Sequence, residues 1–192
     1  MEYLKRSTAP VAENDERIHQ TVKQMLARIE ADGESAVREY AAQFDNWQGD
    51  FILSDEKRAE LIAQVPEQTK LDIQFAYKQV KTFAEAQRAS LTEFEIESAP
   101  GVKLGQKIIP VNCAGCYVPG GRYSHAASAL MSIATAKVAG VETIVACSPP
   151  KDGSIHPAIV YAMDLAGADI ILEMGGVHAV ATMAKGLFTG VS

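Results

Sequence analysis

Apolar residues recur at three- and four-residue steps through Ile18, Val22, Met25, Leu26 and Ile29, which is the stripe of one helix face, and the run closes at Asp32-Gly33. A second, shorter helix is predicted by Val37, Tyr40, Ala41 and Phe44, and the polar stretch Asp45-Asn46-Trp47-Gln48-Gly49 ends it. Ser54-Asp55-Glu56 places an N-cap hydroxyl and first-turn acids ahead of Leu61-Ile62. Pro66 restarts the helix, and a long pattern with Leu71, Phe75, Val80 and Phe83 apolar runs to about Ser90. The period then changes. Phe94-Glu95-Ile96-Glu97 alternates as a strand does, Pro100-Gly101 makes a turn, and Val102 to Val111 returns, so a β-hairpin is predicted.

After the hairpin one unit repeats three times, an apolar strand followed by a turn and a helix. The first strand, Gly115 to Val118, leads through Pro119-Gly120-Gly121 to a helix from about Ser124 to Val138. The second, Thr143 to Cys147, leads through Ser148-Pro149-Pro150 to a helix from about His156 to Leu165. The third, Asp169 to Glu173, leads through Gly175-Gly176 to a helix from about Val177 to Leu187. Strands alternating with helices predict a parallel, Rossmann-like sheet. The fold class is therefore α/β, with a helical N-terminal region over 1–92 and a Rossmann-like α/β domain with a leading hairpin over 93–192.

Charge sharpens this division. Residues 1–100 carry 12 Lys and Arg against 19 Asp and Glu, whereas residues 101–192 carry 6 and 5, so the second part is expected to be the more buried. A formal net charge of -6 removes the basic footprint of a nucleic-acid binder. No window approaches the roughly 20 apolar residues of a membrane span, and the polar opening after Met1-Glu2-Tyr3-Leu4 lacks a signal-peptide core. Three cysteines, Cys113, Cys116 and Cys147, are too few for a secreted disulfide framework. Together these features predict a cytoplasmic protein whose partners are small molecules or other chains.

In a parallel sheet the loops leaving the strands' carboxyl ends line one edge, and ligands bind there. Two of the three loops put glycine just before a helix start, which serves either an anion at the bare amides or close packing and positive φ. There is no G-x-G-x-x-G and no Walker motif. His19 reads as solvated surface and His156, beside Pro157, as a first helical turn. His125 and His178 each follow a glycine-bearing loop, where a ring nitrogen either bonds a ligand or is packed at a helix start. Arg122-Tyr123-Ser124-His125 gathers a cation, a phenol, a hydroxyl and an imidazole suited to an anionic or polyhydroxyl substrate; equally, Ser124 caps the helix and Arg122 stays in solvent. Cys113-Ala114-Gly115-Cys116 has C-x-x-C spacing but precedes or enters a strand, whereas a redox pair belongs at a helix start. Zinc would need two more ligands at comparable spacing.

Tyr117-Val118-Pro119-Gly120-Gly121, Ala136-Lys137-Val138-Ala139-Gly140, Cys147-Ser148-Pro149-Pro150, Ala166-Gly167-Ala168-Asp169 and Gly175-Gly176, in this order, resemble the histidinol dehydrogenase family. Asp32-Gly33-Glu34-Ser35-Ala36 with Tyr40 and Phe44-Asp45 fits that family's opening helices, so the resemblance spans nearly the whole chain. Within the family, Gly120 to His125 is most similar to the branch that oxidises sulfopropanediol, a permanent anion that Arg122 would suit. The resemblance implies an NAD-dependent, zinc-dependent alcohol oxidation by a homodimer, with hydride passing to the nicotinamide. It implies NAD contacts at Tyr117 and at the position of His178, where the family carries a glutamine, and substrate contacts at Arg122 and His125. The family's zinc ligands and catalytic glutamate and histidine pair lie in a second Rossmann-like half, past the block Gly186-Leu187-Phe188-Thr189-Gly190, so catalytic groups and metal ligands are expected outside this chain. Histidinol oxidation and a non-catalytic nucleotide-binding or interaction module are the competing readings.

Overall fold

The computed structural model describes residues 12–120 and 125–192. Helix α1 spans Ala12–Asp32 and stops at Gly33, whose φ of 58° lies in the left-handed region that glycine reaches without strain. Helix α2 (Glu34–Tyr40) continues into a π-helical turn, Ala41–Asp45, and Asn46 ends it at φ 51°. Helix α3 (Asp55–Ala63) is capped by Ser54, whose hydroxyl oxygen accepts the Lys57 amide at 3.2 Å. Helix α4 covers Glu67–Ala89. Strands β1 (Phe94–Ala99) and β2 (Val102–Gln106) form the antiparallel hairpin. Then come β3 (Cys113–Tyr117), α5 (Ala126–Ala129), a π-helical turn (Leu130–Ala134) and α6 (Thr135–Val138), the last three in one continuous helix. Strand β4 (Thr143–Ser148), α7 (Pro157–Ala166), β5 (Ile170–Glu173) and α8 (Gly176–Lys185) complete the order.

Strands β3, β4 and β5 pair in parallel in that order, with Cys116 opposite Ala146 and Ser148 opposite Glu173. This is the α/β class with a helical N-terminal region. The period of two along each strand sends alternate side chains to opposite faces. Ile144, Ala146 and Ile171 enter one core with residues of α3, α4, α5 and α7; Val145, Cys147 and Leu172 enter the other with residues of α1, α2 and α8. The N-terminal helices therefore cover both faces of the sheet. Their connector also covers its edge, because the Leu53 amide bonds the Ile171 carbonyl at 2.9 Å and the Glu173 amide bonds the Phe51 carbonyl at 2.7 Å.

Three details differ from the sequence reading. The second hairpin strand ends at Gln106 rather than Val111, and Pro110, with no amide hydrogen, cannot extend a ladder. His156 is the N-cap of α7, its Nδ1 accepting the Ala158 amide at 3.2 Å, rather than a residue of the first turn. Helix α4 faces the core with Ile73, Tyr77, Val80 and Ala84, a 4-3-4 spacing, while Leu71, Phe75 and Phe83 point outward at 50%, 68% and 67% exposure. The hairpin likewise leaves Phe94, Ile96, Val102 and Leu104 exposed.

Candidate functional site

The three loops at the carboxyl ends of β3, β4 and β5 meet at one residue, Pro149. A Cβ on Gly120 would lie 2.5 Å from Pro149 Cγ, and one on Gly175 would lie 2.6 Å from Pro149 Cβ. Both positions are glycine because backbone and ring approach too closely for a methyl group. Gly176 differs in kind, since a Cβ there would make only ordinary contact with the His178 ring at 3.7 Å, but its φ is 60°. Of the two readings of these glycines, close packing and positive φ account for their backbone directly.

Tyr117 stands at the end of β3, about a third exposed, and its hydroxyl oxygen accepts the Gly176 amide at 3.2 Å. Because the oxygen is the acceptor, the phenolic proton stays free to donate outward. The Gly175 amide is held by Asp45, whose Oδ2 accepts it at 3.0 Å. Two amides at the start of α8 are thus bonded to the chain's own oxygens, and this helix start is no open anion cradle.

His178 is buried at 1% exposure, with Nε2 2.9 Å from the same Asp45 oxygen and Nδ1 without a partner among the described residues. The Phe44 ring stacks on it at 6.4 Å between centroids. A cleft of about 450 Å³ opens beside this cluster, lined by Thr21, Val22 and Met25 of α1 together with Phe44, Gly176 and His178. His178 and Tyr117 are therefore brought to the same turn, one bonding its anchor and the other its amide. His125 is half-buried at the N-cap of α5, its carbonyl accepting the Ser128 amide at 2.9 Å and its ring making no cap bond. Arg122 and Ser124 lie outside the described residues. His19 is exposed, as its polar neighbours predict.

Two residues of this edge escaped the sequence reading. Asp45, taken as part of a polar helix end, is delivered to the site by the π-helical turn after α2. Glu173, at the end of an apolar strand, is buried at 6% exposure and accepts the Ser154 hydroxyl at 2.6 Å and the Ile155 amide at 3.3 Å. Burial pushes its carboxyl up from the ordinary value, and the Ser154 and Ile155 bonds partly offset this. The one signal available was a lone acid closing the run Ile170-Ile171-Leu172.

Cysteines 113 and 116 sit within β3 and all three thiols are free. Burial raises the Cys116 thiol and pushes Cys147 up to about 12, so neither is a thiolate near neutral pH. Among the described residues no group of three His, Cys, Asp or Glu side chains is placed to hold a metal ion. Zinc therefore does not fit the groups described here. No helix among the described residues is long and apolar enough to cross a membrane.

Comparisons with known proteins agree with this architecture. The profile of the family described as histidinol dehydrogenase matches residues 9–191. The sulfopropanediol 3-dehydrogenase of Ruegeria pomeroyi is 52% identical over 189 residues, which are 98% of this chain and 43% of that protein. The histidinol dehydrogenase of Methanosarcina barkeri is 38% identical over 176 residues, 91% of this chain and 40% of that protein. The crystal structure of histidinol dehydrogenase from Elizabethkingia anophelis superposes with a TM-score of 0.81 at 28% identity, covering 96% of this chain and 41% of that one. The chain thus spans less than half the length of these relatives.

Proposed function

The chain belongs to the histidinol dehydrogenase family, and we propose that it forms the cofactor-side part of an NAD-dependent, zinc-dependent alcohol dehydrogenase whose substrate is sulfopropanediol. The observation that carries the substrate is the 52% identity along 98% of the chain to a sulfopropanediol 3-dehydrogenase, against 38% to a histidinol dehydrogenase. In this reading residues 1–92 brace the Rossmann-like unit of residues 93–192, and the protein is a cytoplasmic homodimer.

NAD suits the groups present. The Tyr117 hydroxyl proton is a donor, His178 Nδ1 is a polar atom with no partner among the described residues, and both flank one glycine turn at the ligand edge of a parallel sheet. Bound NAD supplies the hydride acceptor. Tyr117 and His178 hold it, and the Pro149 contact keeps the three loops at fixed spacing around it. Arg122 supplies a fixed cation for a sulfonate, and His125 a ring nitrogen for a substrate hydroxyl. Zinc would supply a Lewis acid for the alcohol in this family reading; the described residues offer no ligand set for it, and no step is assigned to them through it.

The test is a turnover assay with NAD on the full protein that carries this chain, supplying sulfopropanediol and histidinol in parallel. Faster turnover of sulfopropanediol is expected. Oxidation of histidinol alone overturns the substrate, and the absence of any NAD reduction overturns the activity.

A further inference from the structure

Asp45 is assigned no cofactor or substrate contact above, yet one of its oxygens does two things at the ligand edge. Oδ2 accepts the Gly175 amide at 3.0 Å and lies 2.9 Å from His178 Nε2. It comes from the N-terminal helical region, 133 residues before the histidine, and its side chain is only 11% exposed. An ionised carboxylate accepts hydrogen bonds and donates none. Facing an ionised Asp45, Nε2 carries a proton, and in the neutral ring the other nitrogen then keeps its lone pair. That second nitrogen, Nδ1, is buried and has no partner among the described residues.

An unpaired polar atom in a packed region costs stability, and one such atom at a ligand edge is explained by a ligand that completes it. Two features flank the ring. Phe44 stacks on it at 6.4 Å between centroids. Residue 176 is glycine, and a Cβ there would stand 3.7 Å from both Cε1 and Nδ1, adding a contact on that side of the ring.

We infer that Asp45 is the positioning residue of this site: it pins the Gly175-Gly176 turn and sets the His178 ring as the Nε2-protonated tautomer, so that Nδ1 presents an acceptor to an N–H or O–H group of the bound nucleotide. The inference rests on the reading that this edge holds NAD. Tyr117 then offers a donor and His178 an acceptor on the two sides of one turn. A glutamine at position 178 would present donor and acceptor on separate atoms and would need no such control, which is why the histidine makes Asp45 decisive.

The test is long-range proton–nitrogen correlation spectroscopy on the chain labelled at its 4 histidines, with His178→Gln used for assignment, alongside NAD titrations. In the unsubstituted chain Nε2 is expected to carry the proton and Nδ1 to be bare; the proton on Nδ1 overturns the inference with no variant required. Asp45→Asn offers one acceptor oxygen and one amide donor, so both tautomers should become populated. NAD should then bind at least tenfold more weakly, a loss that shrinks below about threefold in the His178→Gln background. An unchanged tautomer in Asp45→Asn, or an equal loss in both backgrounds, contradicts the positioning role. If the unsubstituted chain ignores NAD while the tautomer responds to Asp45→Asn, the cofactor reading falls and the control of the ring by Asp45 stands.

Discussion

Pro149 is the point at which the three loops of the ligand edge are locked together, and the contacts are asymmetric enough to be tested separately. A methyl group at position 120 would strike Pro149 Cγ at 2.5 Å, with Cδ and the carbonyl oxygen at 3.1 Å; one at position 175 would strike Cβ at 2.6 Å, with Cγ at 3.3 Å. Neither glycine has a positive φ, so the penalty of an alanine is steric and not conformational. Overpacking of this kind costs about 1–3 kcal/mol. Pro149→Ala removes Cγ and Cδ but keeps Cβ. It should therefore relieve Gly120→Ala and leave Gly175→Ala unrelieved. In urea unfolding of single and double variants, the coupling of Gly120→Ala with Pro149→Ala should reach about 1 kcal/mol, and that of Gly175→Ala should stay within about 0.5 kcal/mol. Equal couplings, or a Gly120→Ala chain as stable as the parent, would refute the packing of these loops on Pro149.

Other expectations follow from the same geometry. Glu173 has a raised carboxyl, so the folded chain holds its proton more tightly than the unfolded chain, and the group's contribution to stability falls as pH rises from the ordinary carboxylate range through the folded value. Glu173→Gln keeps an oxygen for the Ser154 and Ile155 bonds, both of which end on Oε1; it should be more stable than the parent at pH 7 and lose that advantage below about pH 4, the unperturbed glutamate range, as read from urea midpoints across pH. Ser154→Ala should cost about 1–3 kcal/mol at pH 7, because a buried charge loses its nearest donor. The Cys116 and Cys147 thiols should resist alkylation at pH 8 until denaturant is added; rapid labelling of Cys147 in the native chain would contradict its burial at 0% exposure and its pKa of about 12. Phe75→Ser and Phe83→Ser, on the outward face of α4, should change stability by no more than about 0.5 kcal/mol and lower self-association in light scattering.

The elements were legible because their signals are local. The stripe Ile18 to Ile29, the Ser54 cap, the Pro66 restart and the alternation of strands and helices each declare themselves within one or two turns of chain, and the helices and strands they announce are present among the described residues. The burial of α4 was not legible. Leu71, Phe75, Val80 and Phe83 mark the helix as apolar positions, yet of these only Val80 joins Ile73, Tyr77 and Ala84 on the inner face, and tertiary packing decides which face meets the sheet. At the site, the glycine loops were visible from their place at strand ends, and Tyr117 only through the family resemblance of its Tyr-Val-Pro-Gly-Gly block. Asp45 was not, since its pairing with His178 joins positions 133 residues apart and depends on a π-helical turn that no propensity announces. Glu173 was hidden because a single acid ending an apolar strand is as consistent with solvent as with a buried hydrogen bond. Arg122 lies outside the described residues, and its part in substrate binding rests on the family resemblance.

In the proposed function the edge formed by Tyr117, Pro149, Gly176 and His178 is an NAD site. The most direct measurement is a calorimetric titration of the chain with NAD, repeated with Tyr117→Phe, which keeps the ring and removes the one hydroxyl that accepts the Gly176 amide. Saturable binding that weakens about tenfold in Tyr117→Phe, the loss of roughly one hydrogen bond, is the predicted result. Saturable binding that Tyr117→Phe leaves unchanged, or no binding to the unsubstituted chain, would contradict it.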